Sequence, residues 1–431
     1  MDISLPFTVL LIISILCNLK GLEHSSLVEG EGMDFSELRK AVEEVELVDG
    51  HSHNIVALNS TSISGFVQAF TVGAFVDADA IAFAQTSLSF KRSLRDVAEL
   101  YGTEVSLQGV EEYRKASGIE SISSTCLKAA KFSAILIDDG IEMDKKHDMQ
   151  WHKNFTPFVG RILRTERVAE QILEQGLPNG SSWTIDSFTE AYVSKVKSFA
   201  KEIHALKSIA AYYGGLEINL NVTKTDAEES LKEVLTNTAK PIFLLKYKNY
   251  KNLVDYLFLQ SLEIALSYDL PMQIHTGFGD RLLDLRKTNP LHLRSVLEDK
   301  RYSKCRFVLL HASHPYSKEA SYLASVYSQV YLDFGLAIPK LSVHGMTSAV
   351  KDLLNLAPLD KVMFSTDAYT FPETFYLGAK NSREVVFSVL HDACIDGELS
   401  IPEAVEAAKD ILARNAIRFY KISSPNNAGP P

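Results

Sequence analysis

Cysteine is scarce in this sequence. The 431 residues include only Cys17, Cys126, Cys305 and Cys394, and no two of them form a CxxC pair. Their wide spacing argues against a disulfide framework and against a structural zinc site made of cysteines. We therefore expect buried or unused thiols, which give no reason to place the protein in an oxidising compartment.

Basic patches and glycine-rich phosphate loops are also missing. Asp and Glu outnumber Lys and Arg by 54 to 44, and the net charge is −10. Because no basic stripe is available for phosphates, the sequence argues against a nucleic-acid partner. No glycine-rich turn follows the first predicted strand, which argues against a doubly wound nucleotide-binding sheet. With nucleic acid excluded, a small molecule is the expected partner. The apolar fraction of 46% is typical of a globular protein with a substantial core.

Long apolar runs are missing too. Residues 5–16 form an apolar segment, but a membrane span needs about 20 residues, so we expect no stable membrane insertion. The segment is preceded by Asp2 and by no Lys or Arg, unlike the start of a signal peptide. The N-terminal extension 1–32 is therefore either a secretory signal at 1–21 or an upstream start added to a protein that begins near Met33. We favour the second interpretation, and with it a cytoplasmic location.

The sequence does contain eight apolar, β-rich runs that alternate with helical stretches. The runs begin at Val45, Phe132, Phe158, Leu206, Pro271, Phe307, Val330 and Val362. Such near-continuous apolar strands indicate a parallel sheet that is buried on both faces, and eight of them match an α/β fold, the TIM (β/α)8 barrel. Residues 65–130 have mostly helical patterns, which predicts a helical insertion after the first strand. We expect the barrel domain to cover residues 33–423 and a disordered tail to cover 424–431.

Potential metal ligands stand where several predicted strands end. His51 and His53 follow the first strand, His275 ends the fifth, and Asp367 ends the eighth. Two histidines separated by one residue point to the same side of a strand, and the carboxyl ends of barrel strands gather at one face. His-x-His alone occurs often by chance, but four candidates at matching strand ends favour one divalent metal ion. Three imidazoles and a carboxylate suit zinc best, with manganese and iron as alternatives.

A metal ion held in this way would support hydrolysis. It leaves a position for water and lowers the pKa of that water to roughly 7. Asp367 would be both a ligand and the general base that takes the proton of the water. His311, at the end of the sixth strand, would polarise the substrate carbonyl or hold the oxyanion.

The number of ions depends on the fourth strand. A second ion would need a bridging carboxylate or a modified lysine near the end of that strand. Lys207 is the nearest candidate, but the run Leu206–Tyr212 places it at the start of the strand, facing the opposite mouth of the barrel. The sequence therefore predicts a single ion.

Three further residues are candidates for substrate binding. Asp280 and Arg281 follow the fifth strand, and His314 follows His311. For Asp280 and Arg281 the simpler interpretation is that the aspartate stabilises a turn and that the arginine is solvated. His314 is expected on the rim of the pocket.

Four segments carry a resemblance to a known family. They are VDGHSHN at 48–54, QIHTG at 273–277, LLHAS at 309–313 and FSTD at 364–367, and together they resemble the amidohydrolase superfamily. Within it, the resemblance is to the amidohydrolase-related branch that forms the N-terminal half of FluG-like and plant nodulin/glutamine-synthetase-like proteins, here without the glutamine synthetase domain. The resemblance implies a metal-dependent TIM barrel, with His51, His53, His275 and Asp367 as metal ligands and His311 as the catalytic histidine.

The function that the resemblance implies is hydrolysis of a C–N amide-type bond in a small molecule. Two alternatives stay open. The first is a metal-dependent non-oxidative decarboxylase, because a related branch of the superfamily uses the same ligands. The second is a non-catalytic oligomeric scaffold that keeps the pocket by descent. A homo-oligomer is compatible with each of these functions.

Overall fold

The computed structural model describes residues 33–62, 65–70, 78–177, 182–236 and 250–423. The N-terminal extension, with its signal-like segment, and the tail 424–431 lie outside the described residues, and the domain boundary at Met33 stays a prediction. The chain groups into two units, Met1–Glu37 and Leu38–Pro431. In the described part of the first unit, the backbone N–H of Ser36 donates to Asp34 Oδ1 at 2.9 Å.

The described part of the second unit contains an eight-stranded parallel sheet, in which each strand pairs with the next strand of the sheet along the chain. A further two-residue strand, Gly335–Leu336, lies outside this sheet. The strands of the sheet are β1 Leu47–Ser52, β2 Phe132–Asp138, β3 Phe158–Arg164, β4 Ala205–Ser208, β5 Met272–Ile274, β6 Phe307–Leu309, β7 Val330–Asp333 and β8 Val362–Met363. This order is that of the predicted TIM (β/α)8 barrel, which is therefore confirmed.

Backbone hydrogen bonds join the segment after β8 to β1. The N–H of Asp367 donates to the carbonyl oxygen of His51 at 2.9 Å, and the N–H of His53 donates to that of Ala368 at 2.7 Å. These bonds fix the first and last strands of the barrel side by side. They also bring the His-x-His pair and Asp367 to the same place.

Helices surround the strands. The α-helices are Ser36–Glu44, Ala78–Ala84, Leu88–Tyr101, Leu107–Ala130, Met149–His152, Thr165–Gln175, Ile185–Phe199, Lys224–Thr236, Lys251–Tyr268, Arg294–Glu298, Ser317–Val326, Ala337–Lys340, Val343–Leu354, Pro372–Ile395, Ile401–Lys409 and Asn415–Tyr420. Short 3-10 turns occur at Phe66–Phe70, Ala210–Tyr212, Leu285–Lys287, Pro290–Leu293, Lys300–Tyr302, His311–Ser313 and Leu359–Lys361, and a π turn occurs at Asp410–Arg414. Within the described ranges, no helix is long and apolar enough to cross a membrane.

The predicted helical insertion lies between β1 and β2. Its longest helix, Leu107–Ala130, bends at Gly118, where φ is +77°, and packs against Pro372–Ile395. Arg114 on the insertion and Glu373 on the barrel helix form a buried ion pair with an Nε–Oε1 distance of 2.7 Å. The insertion is therefore fixed to the barrel directly beside the segment that follows β8.

The barrel interior is packed with apolar side chains that continue into the C-terminal helix. Val48, Leu136, Ile162 and Leu310 belong to one buried cluster with residues of the C-terminal helix, including Tyr420. The Tyr420 hydroxyl accepts a hydrogen bond from Gln273 Nε2 at 2.7 Å. A solid core of this kind is expected of a TIM barrel, and it supports the polar site from below.

Candidate metal centre

Three of the four predicted metal ligands meet at the carboxyl end of the barrel. Nε2 of His51 lies 3.3 Å from Asp367 Oδ1, and Nε2 of His53 lies 3.2 Å from the same oxygen. The ligand atoms of the three residues are all within 4.8 Å of one another. Both histidines are buried, so the group forms a compact and largely dry donor set.

Hydrogen bonds fix the tautomers of these two histidines. Nδ1 of His51 donates to Gln273 Oε1 at 2.8 Å, and Nδ1 of His53 donates to the carbonyl oxygen of Asp138 at 2.8 Å. Gln273 turns its oxygen to His51 because its Nε2 donates to the carbonyl oxygen of Gly50. In this tautomer the lone pair of Nε2 faces Asp367 in both rings.

This arrangement fits a metal ion. Two imidazole lone pairs and a carboxylate oxygen are all acceptors, and they repel one another at 3.2–3.3 Å unless a cation or a proton lies between them. Hydrogen bonding of the remote imidazole nitrogen to a carbonyl or amide oxygen is the usual way in which proteins orient metal-binding histidines. Imidazole nitrogen together with carboxylate oxygen is a donor set that zinc accepts.

His311 and His275 lie next to this group. Their ring centres are 4.5 Å apart, and the ring of His311 is 5.9 Å from that of His51. Nε2 of His275 donates to the carbonyl oxygen of Phe278 at 3.1 Å, which leaves Nδ1 as its ligand atom. Nδ1 of His311 is buried and has no hydrogen-bond partner among the described residues. His275 lies outside the group that meets at Asp367, so its role as a ligand, like the catalytic role of His311, stays a prediction.

The backbone is strained at two of the site residues. His311 and Asp367 have φ values of +69° and +50°, a left-handed conformation that is unfavourable for residues other than glycine by about 1–2 kcal/mol each. Buried carboxylates hold both segments. Asp333 Oδ1 accepts the N–H of His311 at 3.3 Å, and Asp49 Oδ1 accepts the N–H of Thr366 at 2.9 Å. Strain that is maintained in this way is common at functional sites.

The surroundings keep the histidines neutral and the carboxylate charged. Burial lowers the pKa of His51 to about 4, with a further contribution from Lys207, and burial lowers the pKa of His311 to about 3. Burial acts in the opposite direction on Asp367, but the imidazoles of His311, His51 and His53 around it outweigh burial and hold the pKa of that carboxyl well below its usual range. At pH 7 the rings of His51 and His311 are therefore neutral and the carboxyl group of Asp367 is ionised. These are the states in which imidazoles and carboxylates bind metal ions.

Lys207 also belongs to this site, so its predicted orientation was wrong. β4 ends at Ser208 and is followed by the 3-10 turn Ala210–Tyr212, whereas the sequence predicted one strand over Leu206–Tyr212. In the observed register Lys207 lies beside Gln273 near the end of the strand. Its side chain is buried, and its Nζ is 3.2 Å from His51 Nε2. The argument for a single ion that relied on a distant Lys207 therefore no longer holds.

A cavity of about 390 Å³ opens above the group. His53, His275, His311 and Asp367 are in its wall, and of the predicted substrate-binding residues only Asp280 is. Arg281 is exposed, and the ring of His314 packs against Phe278 with the ring centres 5.4 Å apart. These two residues are not in the wall, and their substrate-binding roles stay predictions.

The wall also contains residues that the sequence did not indicate. They include Arg167, Tyr212, Lys340 and Tyr369, and they lie in the wall together with Arg164 and Lys207. Arg164 is the last residue of β3, and this strand-end position already indicates it as a candidate in the sequence. Lys340 lies on a turn beyond β7 and Tyr369 beyond β8, and no sequence pattern distinguishes them from surface residues.

The contact between Gln273 and His51 leads to a first prediction. Gln273→Leu removes the acceptor for His51 Nδ1–H, so the ring loses its fixed tautomer and orientation. We expect the affinity for a divalent ion to fall by about 10- to 100-fold, measured by competition with a chromogenic chelator. Gln150→Leu, at an exposed position, is the matched control and should bind as the wild type does. Equal affinities of Gln273→Leu and the wild type would contradict the proposed role.

Comparisons with known proteins bear on the family resemblance and on the fold. Residues 211–422 match the model of the family described as Amidohydrolase. Protein fluG of Emericella nidulans is 29% identical over 419 aligned residues, which are 92% of this chain and 47% of that protein. This chain therefore spans about half the length of that curated relative.

Two solved structures share the fold. The first is a protein from Lactobacillus casei assigned as a metal-dependent hydrolase, with a TM-score of 0.77, 24% identity and coverage of 90% of this chain and 98% of that chain. The second is uronate isomerase from Thermotoga maritima, with a TM-score of 0.63, 14% identity and coverage of 90% and 97%. The predicted resemblance to the amidohydrolases is thus confirmed, and the chain shares the barrel fold of these two solved structures.

Proposed function

We propose that this protein hydrolyses a C–N amide-type bond of a small molecule with the help of a divalent metal ion, zinc by preference. One observation carries the proposal. His51 and His53 turn their Nε2 atoms to the carboxylate of Asp367, and Asp367 and His53 line a cavity of about 390 Å³, which is large enough for a small substrate.

The residues that would hold the ion are His51, His53 and Asp367, with His275 as a further ligand from the adjacent strand. When bound, such an ion lowers the pKa of a water molecule to about 7 and polarises a carbonyl group.

Asp367 is the proposed general base. Its carboxylate stays ionised at neutral pH, because the histidines around it hold its pKa well below the usual range. The oxygen that does not face the histidines can take the proton of the attacking water and pass it to the leaving nitrogen. This transfer completes hydrolysis without any further acid.

His311 is the proposed oxyanion-binding group. Its ring is neutral at pH 7, because burial lowers its pKa to about 3, and a neutral imidazole has one N–H to donate. The ring lies in the cavity wall, and its Nδ1 has no partner among the described residues. A neutral imidazole that is held in the cavity wall can donate its N–H to the negative charge that develops on the carbonyl oxygen during attack.

Lys207 supports a single ion for a reason different from the one expected. Its ammonium group lies 3.2 Å from His51 Nε2, and an ammonium group has three N–H donors and no lone pair, so it cannot be a ligand that bridges to a second ion. We expect one ion per chain, by elemental analysis, both in the wild type and in Lys207→Met. Two ions in the wild type and one in the variant would show that the lysine is converted into a carboxylate ligand, which contradicts the single-ion proposal.

The proposed function is tested on the purified full chain. We expect about one equivalent of zinc, manganese or iron, and release of amine from at least one member of an amide panel, which stops on addition of a chelator and returns with the metal. Release of carbon dioxide from 2-hydroxybenzoate-type acids without amide hydrolysis would replace the proposal by the decarboxylase alternative. Failure to bind any divalent ion would leave the scaffold alternative and refute the enzymatic one.

A further inference from the structure

The cationic side chains in the cavity wall differ in whether a carboxylate neutralises them. Two of the four cationic side chains are in ion pairs. Arg164 contacts Asp138 at 2.7 Å, and Arg167 contacts Glu142 at 2.9 Å. Lys207 lies beside His51 at the proposed metal centre. The fourth cation, Lys340, forms no ion pair with any carboxylate of the described residues.

Lys340 is held in position by the helical insertion. Its Nζ donates to the backbone carbonyl oxygen of Ala69 and lies 5.3 Å from the centre of the Tyr369 ring. Arg92 fixes the backbone on both sides of Lys340, because its Nη2 donates to the carbonyl oxygens of Pro339 at 2.7 Å and of Leu341 at 3.2 Å. The ammonium group is therefore preorganised at the cavity wall and does not move freely on a surface turn.

An ammonium group in this position remains charged at neutral pH. Burial lowers the pKa of Lys340 to about 8, and the carboxylate of Asp367 is close enough to oppose this shift. The carbonyl oxygen of Ala69 satisfies only one of its three N–H donors. A partly buried cation with free donors is an unfavourable arrangement in the empty cavity and a favourable one when an anion is present.

We propose that Lys340 binds a carboxylate of the substrate, so that the amide cleaved at the proposed metal centre belongs to a molecule with a free carboxylate group. This inference rests on the proposed function and specifies its substrate class. Asp280, which also lies in the wall, forms no ion pair among the described residues and repels an anion. The carboxylate is therefore directed towards the turn after β7, which carries Lys340.

A matched pair of five-carbon amides tests the proposal. Glutaric acid monoamide has a carboxylate at one end and an amide at the other, whereas glutaramide has an amide at both ends. With the metal-loaded full chain we expect kcat/KM for the monoamide to exceed that for glutaramide by about 10- to 100-fold, the usual effect of one hydrogen-bonded charge pair. In Lys340→Gln, which keeps an N–H donor for Ala69 but removes the charge, this preference should disappear, mainly through a higher KM.

Further variants separate a binding role from a structural one. Lys340→Arg keeps the charge and should retain most of the preference for the monoamide. Lys300→Gln, at an exposed position outside the wall, should behave as the wild type does. Replacement of the carboxylate by a phosphate monoester of the same length should not restore binding in Lys340→Gln.

The outcomes distinguish this inference from the function on which it rests. If both amides are hydrolysed equally well, or if the preference persists in Lys340→Gln, the carboxylate inference is wrong while amide hydrolysis stands. If no amide is hydrolysed, the proposed function fails, and calorimetry with glutarate decides the inference separately. Glutarate that binds the wild type at least about tenfold more tightly than Lys340→Gln would support a carboxylate site, and equal or undetectable binding would overturn it.

Discussion

Asp367→Asn is expected to lower kcat/KM by about 10²- to 10⁴-fold, the usual contribution of a general base. The amide keeps the size of the side chain but cannot take a proton from water. It also removes the negative charge that lies 3.2–3.3 Å from the two histidine nitrogens, so the metal affinity should fall as well. The measurement is amide hydrolysis at saturating metal, with the bound metal determined on the same sample.

A matched aspartate serves as the control for this prediction. Asp360 precedes β8, whereas Asp367 follows it, and Asp360 is exposed. Asp360→Asn should therefore retain full activity and metal content. If Asp367→Asn kept bound metal and full activity, Asp367 would not be the base, and the proton would have to go to another group.

The part of this site that lies at strand ends could be predicted from the sequence. His51, His53 and Asp367 each follow an apolar run, and parallel strands of a barrel end at the same face. The alternation of side chains along a strand places His51 and His53 on one side, and the hydrogen bonds of both residues with the Asp367 segment agree with this geometry. The number and the order of the strands were predicted by the same patterns.

Residues whose position depends on where a strand stops were harder to place. The run Leu206–Tyr212 is apolar throughout, and nothing in its composition indicates that the backbone turns after Ser208. The error of a few residues moved Lys207 from one mouth of the barrel to the other. Because side-chain function in a barrel depends on distance from the carboxyl end, boundary errors of this size affect function more than they affect fold.

Residues held by the insertion could not be found by local patterns at all. Lys340 reaches the cavity because Arg92 and the carbonyl oxygen of Ala69 hold its turn. These contacts join parts of the chain that are about 250 residues or more apart. Periodicity reports on neighbours along the chain, whereas such contacts depend on how the insertion packs on the barrel.

His152 is a buried histidine outside the proposed centre. Its Nδ1 donates to the carbonyl oxygen of Asp148 at 2.7 Å, and its Nε2 accepts the backbone N–H of Ile55 at 3.1 Å. The second bond requires a neutral ring. Burial lowers the pKa of His152 to about 4, so the folded state keeps this residue neutral at pH values where the unfolded chain protonates it.

The metal-free protein should therefore lose stability as the pH falls from 6.5 to 4. In this window the unfolded state binds the proton of His152 and the folded state does not, so the free energy of unfolding falls by about 3 kcal/mol from this residue alone. In His152→Gln, the free energy of unfolding measured in urea should be lower than in the wild type by about 1–2 kcal/mol at pH 7.5. Between pH 6.5 and 4, however, the variant should lose less of this free energy than the wild type does, by about 3 kcal/mol. Gln150→Leu, in the same helix, changes no titratable group and should keep the wild-type pH dependence. An unchanged pH dependence in His152→Gln would mean that His152 is protonated at the same pH in both states, and that the bond to Ile55 does not hold the ring neutral.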